Sequence, residues 1–401
     1  MKENILLLLL GLGLVIRLLL AQLPGFKIDI DDWFVWAIRV NEVGYLNFYS
    51  NDVFSDYLPG YLYILSFLGF LKNLFLLNND HFYYLLKLPS ITGEIVLALF
   101  VYKWLKHKVS NKKALLACSF ILFNPAFIFN SSVWGQIDGL LTLFMILSFF
   151  YLQKNNLIYA SIFFALSIII KPQALSLLPI FGLYLLTHFS LKNLLSFIAP
   201  CLVGLLILSF PFFPTNPFLG LIYKIMETSQ QYAVTSLFAY NFWGIVGFWI
   251  PDNTIGIYLS YQYWGVILFI FYWVIVSYIY IKRGLPLFVV ATLATLSFYF
   301  LPTRVHERYL YTGLVFLTLL IPLIKSRLLI FLTLLLSCTH FLNLYFVYIY
   351  YNEFYFKLPQ ILYNPFVYNF LDSNAKLLSI ISTLCFTIIT LMSLKTYAKK
   401  D

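Results

Sequence analysis

Charged residues are scarce in this chain of 401 residues, and acidic ones are the scarcest, with 16 Asp and Glu against 26 Lys and Arg. Charged residues make up 10% of the sequence and hydrophobic residues 62%, and the mean hydropathy is +0.87. Soluble globular domains carry roughly 25% charged and about 50% apolar residues. This composition therefore excludes a soluble globular domain.

Cysteine is also rare, and the positions of the four cysteines offer no metal site. Cys118, Cys201, Cys338 and Cys385 all lie inside apolar runs, with no C-x-x-C or Cys/His spacing. Cysteine metal sites depend on such spacing. We therefore expect the cysteines to fill space in lipid-buried segments.

Apolar runs of membrane-spanning length recur from one end of the sequence to the other. They predict an all-α polytopic integral membrane protein of about 12 transmembrane helices, forming one domain over residues 1–401. The first run has the basic start and apolar stretch of a secretory signal. Because Arg17 interrupts it and many spans follow, we interpret it as an uncleaved first helix.

Lysine and arginine cluster in short loops, which predicts the orientation of the chain. Cytoplasmic loops are enriched in positive charge, and residues 103–113 form the clearest basic loop. Further basic loops surround Lys154, Lys192, Lys282 and Lys325, and the C-terminal tail is basic. This scheme places both termini in the cytoplasm of a multi-pass plasma-membrane protein. It also accounts for much of the net charge of +10 without a nucleic-acid partner.

The same scheme predicts two long external loops, residues 22–87 and residues 211–256. The run 57–77 is long enough to suggest a span, but Pro59, Gly60, Gly69 and Lys72 interrupt it. A crossing there would also move the basic loop 103–113 outside. We therefore predict a juxtamembrane or re-entrant helix inside the first external loop.

Three acidic residues, Asp29, Asp31 and Asp32, lie within four positions of the first loop and are followed by the aromatic stretch WFVW. A carboxylate beside aromatic rings suits work on sugars, since it can take a proton from an attacking hydroxyl group while rings stack on the sugar. The alternative is a helix N-terminus, where Asp is favoured. One capping residue would suffice for that role.

Three further polar segments lie at the predicted outer face. They are SDYLPGY with Asp56 and Tyr57, VWGQID with Gln136 and Asp138, and KPQ with Lys171 and Gln173. Helix capping or a proline-initiated turn is the alternative for each of the first two. Together with the acidic cluster they are candidates for a shared substrate-binding cavity.

The segment PTRVHER packs four ionisable residues into five positions: Arg304, His306, Glu307 and Arg308. Two arginines and a histidine can bind a lipid-linked phosphate through charged hydrogen bonds. Side chains that snorkel to phospholipid headgroups are the alternative. We predict all four as substrate-binding residues.

The segments DYLPGYLYIL, FNPAFIFNSSVWGQIDGLLTLF, KPQALSLLPI, SLFAYNFWGIVG and RVHERYL occur in this order. In this respect the chain resembles the polyprenol-phosphate-sugar-dependent glycosyltransferases of the GT-C superfamily. It is most similar to bacterial mannosyltransferases related to those of GPI-anchor assembly. The resemblance covers residues 29–310, with Leu58 at a position where the family has proline.

The resemblance implies a hexosyltransferase that moves a sugar, with mannose as the first candidate, from a polyprenyl-phosphate donor. The acceptor would be a lipid, a glycan or a protein at the external face, and the anomeric configuration would invert. Asp29 would be the catalytic base, since it precedes Trp36 by seven residues with Trp33 between them. Asp31 would complete a D-x-D pair that can hold a divalent cation, Mg or Mn. A retaining reaction would need Asp31 or Asp32 as a nucleophile.

Two other classes fit parts of the sequence. One is a transporter or flippase for lipid-linked sugars, although transporters place polar groups near the bilayer midplane and show repeats. The other is an O-antigen ligase or polymerase, which would use a diphosphate-linked oligosaccharide.

Overall fold

Residues 2–50, 53–324 and 326–398 are described by a computed structural model, and Lys325 and the last three residues of the basic tail lie outside them. The described residues form seventeen α-helices and one two-stranded sheet. The first nine helices are α1 Lys2–Leu20, α2 Lys27–Val43, α3 Pro59–Leu74, α4 Asn79–Leu105, α5 Asn111–Phe123, α6 Pro125–Ile128, α7 Asp138–Gln153, α8 Leu157–Ile170 and α9 Leu178–Thr187. The others are α10 Leu191–Ser209, α11 Pro217–Gln230, α12 Phe242–Val246, α13 Tyr261–Arg283, α14 Leu287–Phe300, α15 Leu310–Leu320, α16 Arg327–Ile349 and α17 Pro365–Ala398.

Short non-α segments connect several of these helices. Phe129–Trp134 and Tyr350–Tyr355 are π-helical turns, and Pro172–Leu177 and Glu307–Tyr309 are 3₁₀-helical turns. Strand β1 (Ser236–Leu237) pairs in parallel with strand β2 (Val305–His306). The all-α membrane fold predicted from the sequence is therefore correct.

The number of membrane spans differs from the prediction. Among the described residues, five helices are long and apolar enough to cross a bilayer, or six if the bent pair from Asn111 to Trp134 counts as one span. Five further apolar helices have only 10–17 residues, and a full span needs about 20. One reason is that prolines such as Pro125 and Pro172 begin new helices inside apolar runs. The structure supports five to six spans, and the count of about 12 is not supported by helix length.

Helices α2 and α3 lie in the predicted first external loop and pack against each other. Helix α3 has 16 residues, and it is not among the candidate spans. At its start, a Cβ atom on Gly60 would come within 2.6 Å of the carbonyl oxygen of Ile169 in α8. Glycine at this position therefore lets the first turn of α3 approach the end of α8.

A fully buried ion pair joins α1 to α4. Arg17 Nε donates to Glu94 Oε2 at 2.6 Å, and its other nitrogens donate to three backbone carbonyls. Glu94 also accepts from the hydroxyls of Ser131 and Tyr311, each at 2.6 Å. A buried carboxylate is costly unless it is paired and hydrogen-bonded, and Glu94 has both kinds of partner. Its role here is structural.

The predicted external segments meet at one end of the helices. Tyr83, near the start of α4, donates to Asp31 in α2, whereas the other end of α4 carries Lys103 in the basic loop. At about 1.5 Å per residue, a helix of 27 residues is roughly 40 Å long. The polar motifs and the loop 103–113 thus lie at opposite ends of a span.

Candidate active site

Asp29 lies in the first turn of α2 and is held by two side chains of the VWGQID motif. Its Oδ2 accepts from Nε1 of Trp134 at 2.7 Å and from Nε2 of Gln136. Between these two residues, Gly135 has a φ of +95°, which favours glycine. The left-handed turn lets residues on both sides of Gly135 reach one carboxylate oxygen. Oδ1 remains available for a further partner.

Gln136 also connects Asp29 to the KPQ motif. Its Oε1 accepts from Lys171 Nζ at 2.6 Å and from the Tyr57 hydroxyl at 3.1 Å. Lys171 donates in addition to Asp138 Oδ1 at 2.8 Å. An ammonium group can only donate, so the amide oxygen of Gln136 must face Lys171 and the NH₂ group must face Asp29. Four predicted segments, the acidic cluster, SDYLPGY, VWGQID and KPQ, therefore form one hydrogen-bond network.

The charge of Asp29 acts on two more carboxylates, Asp32 and Asp56. Burial, together with the charges of Asp29, Asp56 and Asp31, raises the pKa of Asp32 to about 7. The pKa of Asp56 is also raised, first by burial and then by Asp29, although Arg308 and His306 oppose the shift. Like charges that share a site favour the protonated form of one member. Near neutral pH, Asp32 is therefore partly protonated.

A cavity of about 370 Å³ opens beside this network. Its polar lining includes residues of four predicted external segments: Asp56, Tyr57, Lys171, Gln173, Tyr232, Thr303, Arg304, His306 and Arg308. Two buried polar atoms on these walls, Gln173 Oε1 and Arg308 Nε, have no hydrogen-bond partner among the described residues. Buried polar groups are normally satisfied, so a ligand with both acceptor and donor groups would suit this space. Larger cavities of about 650 and 670 Å³ lie away from the network.

The HER motif supplies the cationic wall of this cavity. Arg308 Nη1 donates to Glu307 Oε1 at 3.1 Å and lies 3.3 Å from His306 Nδ1. Burial and the Arg308 charge lower the pKa of His306. Burial would raise the pKa of Glu307, but His306 and Arg308 outweigh it and the pKa is lowered. The motif therefore holds an ionised Glu307 that keeps Arg308 in place, beside a neutral histidine.

Arg304 differs from the other predicted cations. Its Nε and Nη2 donate to the two carboxylate oxygens of Asp252 at 2.7 and 3.2 Å, and Nη1 donates to the Ser229 carbonyl. Its φ is +64°, an uncommon conformation for a residue other than glycine. Since each of these nitrogens has a partner in the loop 211–256, Arg304 is placed to anchor that loop to the cavity.

Asp31 faces away from this site. Helix positions two apart point about 200° from each other, and Asp31 forms an ion pair with Lys27 and accepts from the Tyr83 hydroxyl at 3.0 Å. Within the described ranges, no group of three His, Cys, Asp or Glu side chains could hold a metal ion. Asp31 therefore lies outside the hydrogen-bond network of Asp29, and the cation site predicted at Asp29 and Asp31 stays a prediction.

The family to which the sequence belongs agrees with the chemistry of this cavity. The model of glycosyltransferase family 87 matches residues 57–303. The chain belongs to glycosyltransferase family 87. No curated protein sequence matches it. A family 87 chain is a membrane glycosyltransferase, which uses a lipid-linked donor and an acceptor.

Several residues of this family 87 site were not predicted from the sequence. Trp134 lies in the VWGQID segment, but its contact with Asp29 crosses 105 positions and depends on the fold. Asp252 is one of two acidic residues of the loop 211–256, and it lies opposite Arg304. An acidic residue in a predicted external loop was the only sequence signal for it.

Proposed function

We propose that this family 87 glycosyltransferase transfers a hexose from a polyprenyl-phosphate donor to a hydroxyl acceptor, with Asp29 as the general base. The observation that carries the proposal is the network from Asp29 through Gln136 to Lys171 at the wall of a cation-lined cavity. Mannose is the first candidate for the sugar, on the sequence resemblance alone. A lipid, a glycan or a protein would serve as acceptor.

The cavity offers the groups that a sugar phosphate needs. Arg308 and Lys171 are cations on its wall, and Gln173 Oε1 is a free acceptor for a sugar hydroxyl. Its 370 Å³ lies within the range of pockets for small ligands. The polyprenyl chain would extend toward the bilayer beside the apolar wall residues Ile225, Val266 and Phe298.

In the proposed reaction, an acceptor hydroxyl attacks the anomeric carbon while Asp29 takes its proton. A new carbon–oxygen bond forms, and the bond from the anomeric carbon to the phosphate oxygen breaks. Its electron pair leaves with the polyprenyl phosphate, whose charge Arg308 would stabilise. One direct attack inverts the anomeric configuration.

The surroundings of Asp31 and Asp32, the other two carboxylates of the acidic cluster, support a reaction with a single base. A retaining reaction would need an ionised second carboxylate as nucleophile. Asp31 is paired with Lys27 outside the network. Burial raises the pKa of Asp32 to about 7, which favours its neutral form. Inversion is therefore the proposed outcome.

We place this site at the external face of the plasma membrane. The site and the basic loop 103–113 lie at opposite ends of α4, and basic loops are cytoplasmic as a rule. Cysteines introduced at Lys72 and Asp80 should react with an impermeant thiol reagent from outside, and one at Lys108 only after permeabilisation. Labelling in the reverse pattern would contradict this orientation.

The test of function is hexose transfer by the purified protein. Polyprenyl-phosphate mannose, glucose and arabinose are offered as donors with the native membrane fraction as acceptor source, and the products are separated by thin-layer chromatography. Loss of a general base costs about 10²–10⁴ in rate, so Asp29→Asn should lose turnover by that factor and retain donor binding. The matched control is Asp80→Asn, because Asp80 is an exposed carboxylate in the first turn of α4, at the end of that helix near the site.

The same experiment separates the rival functions. A flippase would move donor across liposomes without forming product, and Asp29→Asn would then have no effect on a transfer reaction. A ligase or polymerase would form product only from a diphosphate-linked oligosaccharide. Either outcome would contradict the proposed function.

A further inference from the structure

Asn352 lies in the part of the chain that follows the matched range, in the π-helical turn Tyr350–Tyr355 after α16. Its side chain is fully buried although it is an amide. A buried amide needs hydrogen-bond partners. Both of its partners belong to the turn that begins α2, more than 300 positions away.

The contacts of Asn352 take the place of a helix cap. Its Oδ1 accepts from the backbone N–H of Lys27 at 3.0 Å, and its Nδ2 donates to the carbonyl of Gly25 at 2.9 Å. The N-cap residue of α2 is Phe26, which provides no side-chain hydrogen bond. The first N–H groups of a helix need acceptors from outside its own ladder, and here a distant residue supplies one.

The same turn is tied to the partners of Asp29. The ring of Phe26 stacks on Trp134 with 4.1 Å between centroids, and its N–H donates to the Trp134 carbonyl at 3.3 Å. Trp134 in turn donates to Asp29. Asn352 and Trp134 thus hold the turn from two sides, and Asp29 lies in the first turn of the helix that it starts.

We propose that Asn352 is a positioning residue for glycosyl transfer, which caps α2 from the C-terminal segment and so holds the Asp29 carboxylate against Trp134 and Gln136. The inference rests on the proposed role of Asp29 as base. It gives the π-helical turn at Tyr350–Tyr355, for which the sequence offered no motif, a part in the reaction.

The test compares kcat and KM for polyprenyl-phosphate mannose in three variants. Asn352→Leu keeps the size of the side chain and removes both hydrogen bonds. A small displacement of a reacting group can cost on the order of a hundredfold in rate, so kcat should fall roughly tenfold to a hundredfold with KM for the donor unchanged. Asn352→Asp keeps the acceptor for Lys27 and should retain an intermediate kcat. Asn364→Leu removes an exposed helix cap from the same segment, at α17, and should have normal kcat.

A double-mutant cycle separates positioning from general stability. If Asn352 acts through Asp29, then Asn352→Leu should reduce kcat no further in an Asp29→Asn background. Should Asn352→Leu not fold, Asn352→Asp takes its place in the cycle. A further fall that equals the fall in the wild-type background would overturn the inference.

The possible failures are distinguishable. Loss of activity in Asp29→Asn together with normal kcat in Asn352→Leu would overturn the positioning role alone. Normal activity in Asp29→Asn would overturn both that role and the proposed base. A rise in the donor KM of Asn352→Leu at unchanged kcat would place Asn352 in donor binding instead.

Discussion

The side-chain amide of Gln136 donates to Oδ2 of Asp29 and has no freedom to turn around. Its oxygen faces Lys171 Nζ at 2.6 Å, and the ammonium group offers only donors. The NH₂ group of Gln136 therefore faces Asp29. Lys171, which follows Gln136 by 35 positions in the chain, fixes it in this orientation.

The first prediction concerns this amide. Gln136→Glu should place a second carboxylate between Asp29 and Lys171, and the donor to Asp29 is lost. Loss of one hydrogen bond to a charged group costs about 1.5–3 kcal/mol. We expect kcat for hexose transfer to fall on the order of tenfold to a hundredfold.

The control for Gln136→Glu is Gln262→Glu, which changes a cavity residue that no described hydrogen bond links to Asp29. It should alter donor KM more than kcat. Equal losses of kcat in the two variants would show that added negative charge in the cavity, and not the contact with Asp29, explains the effect.

The second prediction is that Arg304 and Arg308, both predicted from the sequence to bind substrate, have different roles. Arg308 Nε has no partner and is buried at the cavity, whereas Arg304 is bound to Asp252 and Ser229. Arg308→Met should weaken binding of polyprenyl phosphate by about tenfold to a hundredfold, the effect of one charged hydrogen bond. Arg304→Met should lower the melting temperature in detergent and change donor affinity little.

Asp252→Asn completes this comparison. Because Asp252 pairs with Arg304, the double variant Arg304→Met/Asp252→Asn should be no less stable than the worse single variant. A loss of donor affinity in Arg304→Met as large as that in Arg308→Met would restore Arg304 to the binding residues.

Much of the site could be predicted because its motifs are short and lie at helix ends. The sequence placed the acidic cluster, Gln136, Lys171 and the HER motif on one face. In the structure hydrogen bonds join Asp29, Gln136 and Lys171, and Lys171 lines one cavity with His306 and Arg308 of the HER motif. The contact of Arg304 could not be predicted, because its partner Asp252 lies 52 positions away in another loop.

The separation of Asp31 from Asp29 could have been predicted from the sequence. If residues 29–32 begin a helix, then Asp29 and Asp31 point to different faces, and Asp29 and Asp32 share one. In the structure Lys27 pairs with Asp31 at the i,i+4 spacing of a helix.

The third prediction concerns pH. Burial raises the pKa of Asp32 from 3.8 to about 7, so the folded protein binds this proton more tightly than the unfolded chain. The contribution of Asp32 to stability is therefore complete below about pH 4 and is lost as pH rises through 7. Asp32→Asn cannot ionise and should raise the melting temperature at pH 8 more than at pH 5.

The exposed carboxylate Asp80 provides the comparison for Asp32. Asp80→Asn should shift the melting temperature equally at both pH values, since the residue lies in an exposed first turn of α4. An Asp32→Asn effect that is larger at pH 5 would contradict the direction of the pKa shift.

The fourth prediction concerns the buried pair of Arg17 and Glu94. Removal of one member of a buried ion pair leaves the other charge uncompensated, at a cost of about 3–5 kcal/mol. Arg17→Met should therefore lower the melting temperature in detergent by more than any of the cavity variants. The measurement is thermal unfolding of purified protein.

Replacement of both Arg17 and Glu94 tests whether the uncompensated buried charge causes the loss of stability in Arg17→Met. In Arg17→Met/Glu94→Leu no buried charge is left, and well-packed apolar replacements of buried pairs are often neutral. The double variant should thus recover much of the stability lost in Arg17→Met. Glu94 also accepts from Ser131, in the turn that ends at Trp134. Recovery of stability without recovery of kcat would mean that Glu94 has a second role, through that turn, in placing Trp134 against Asp29.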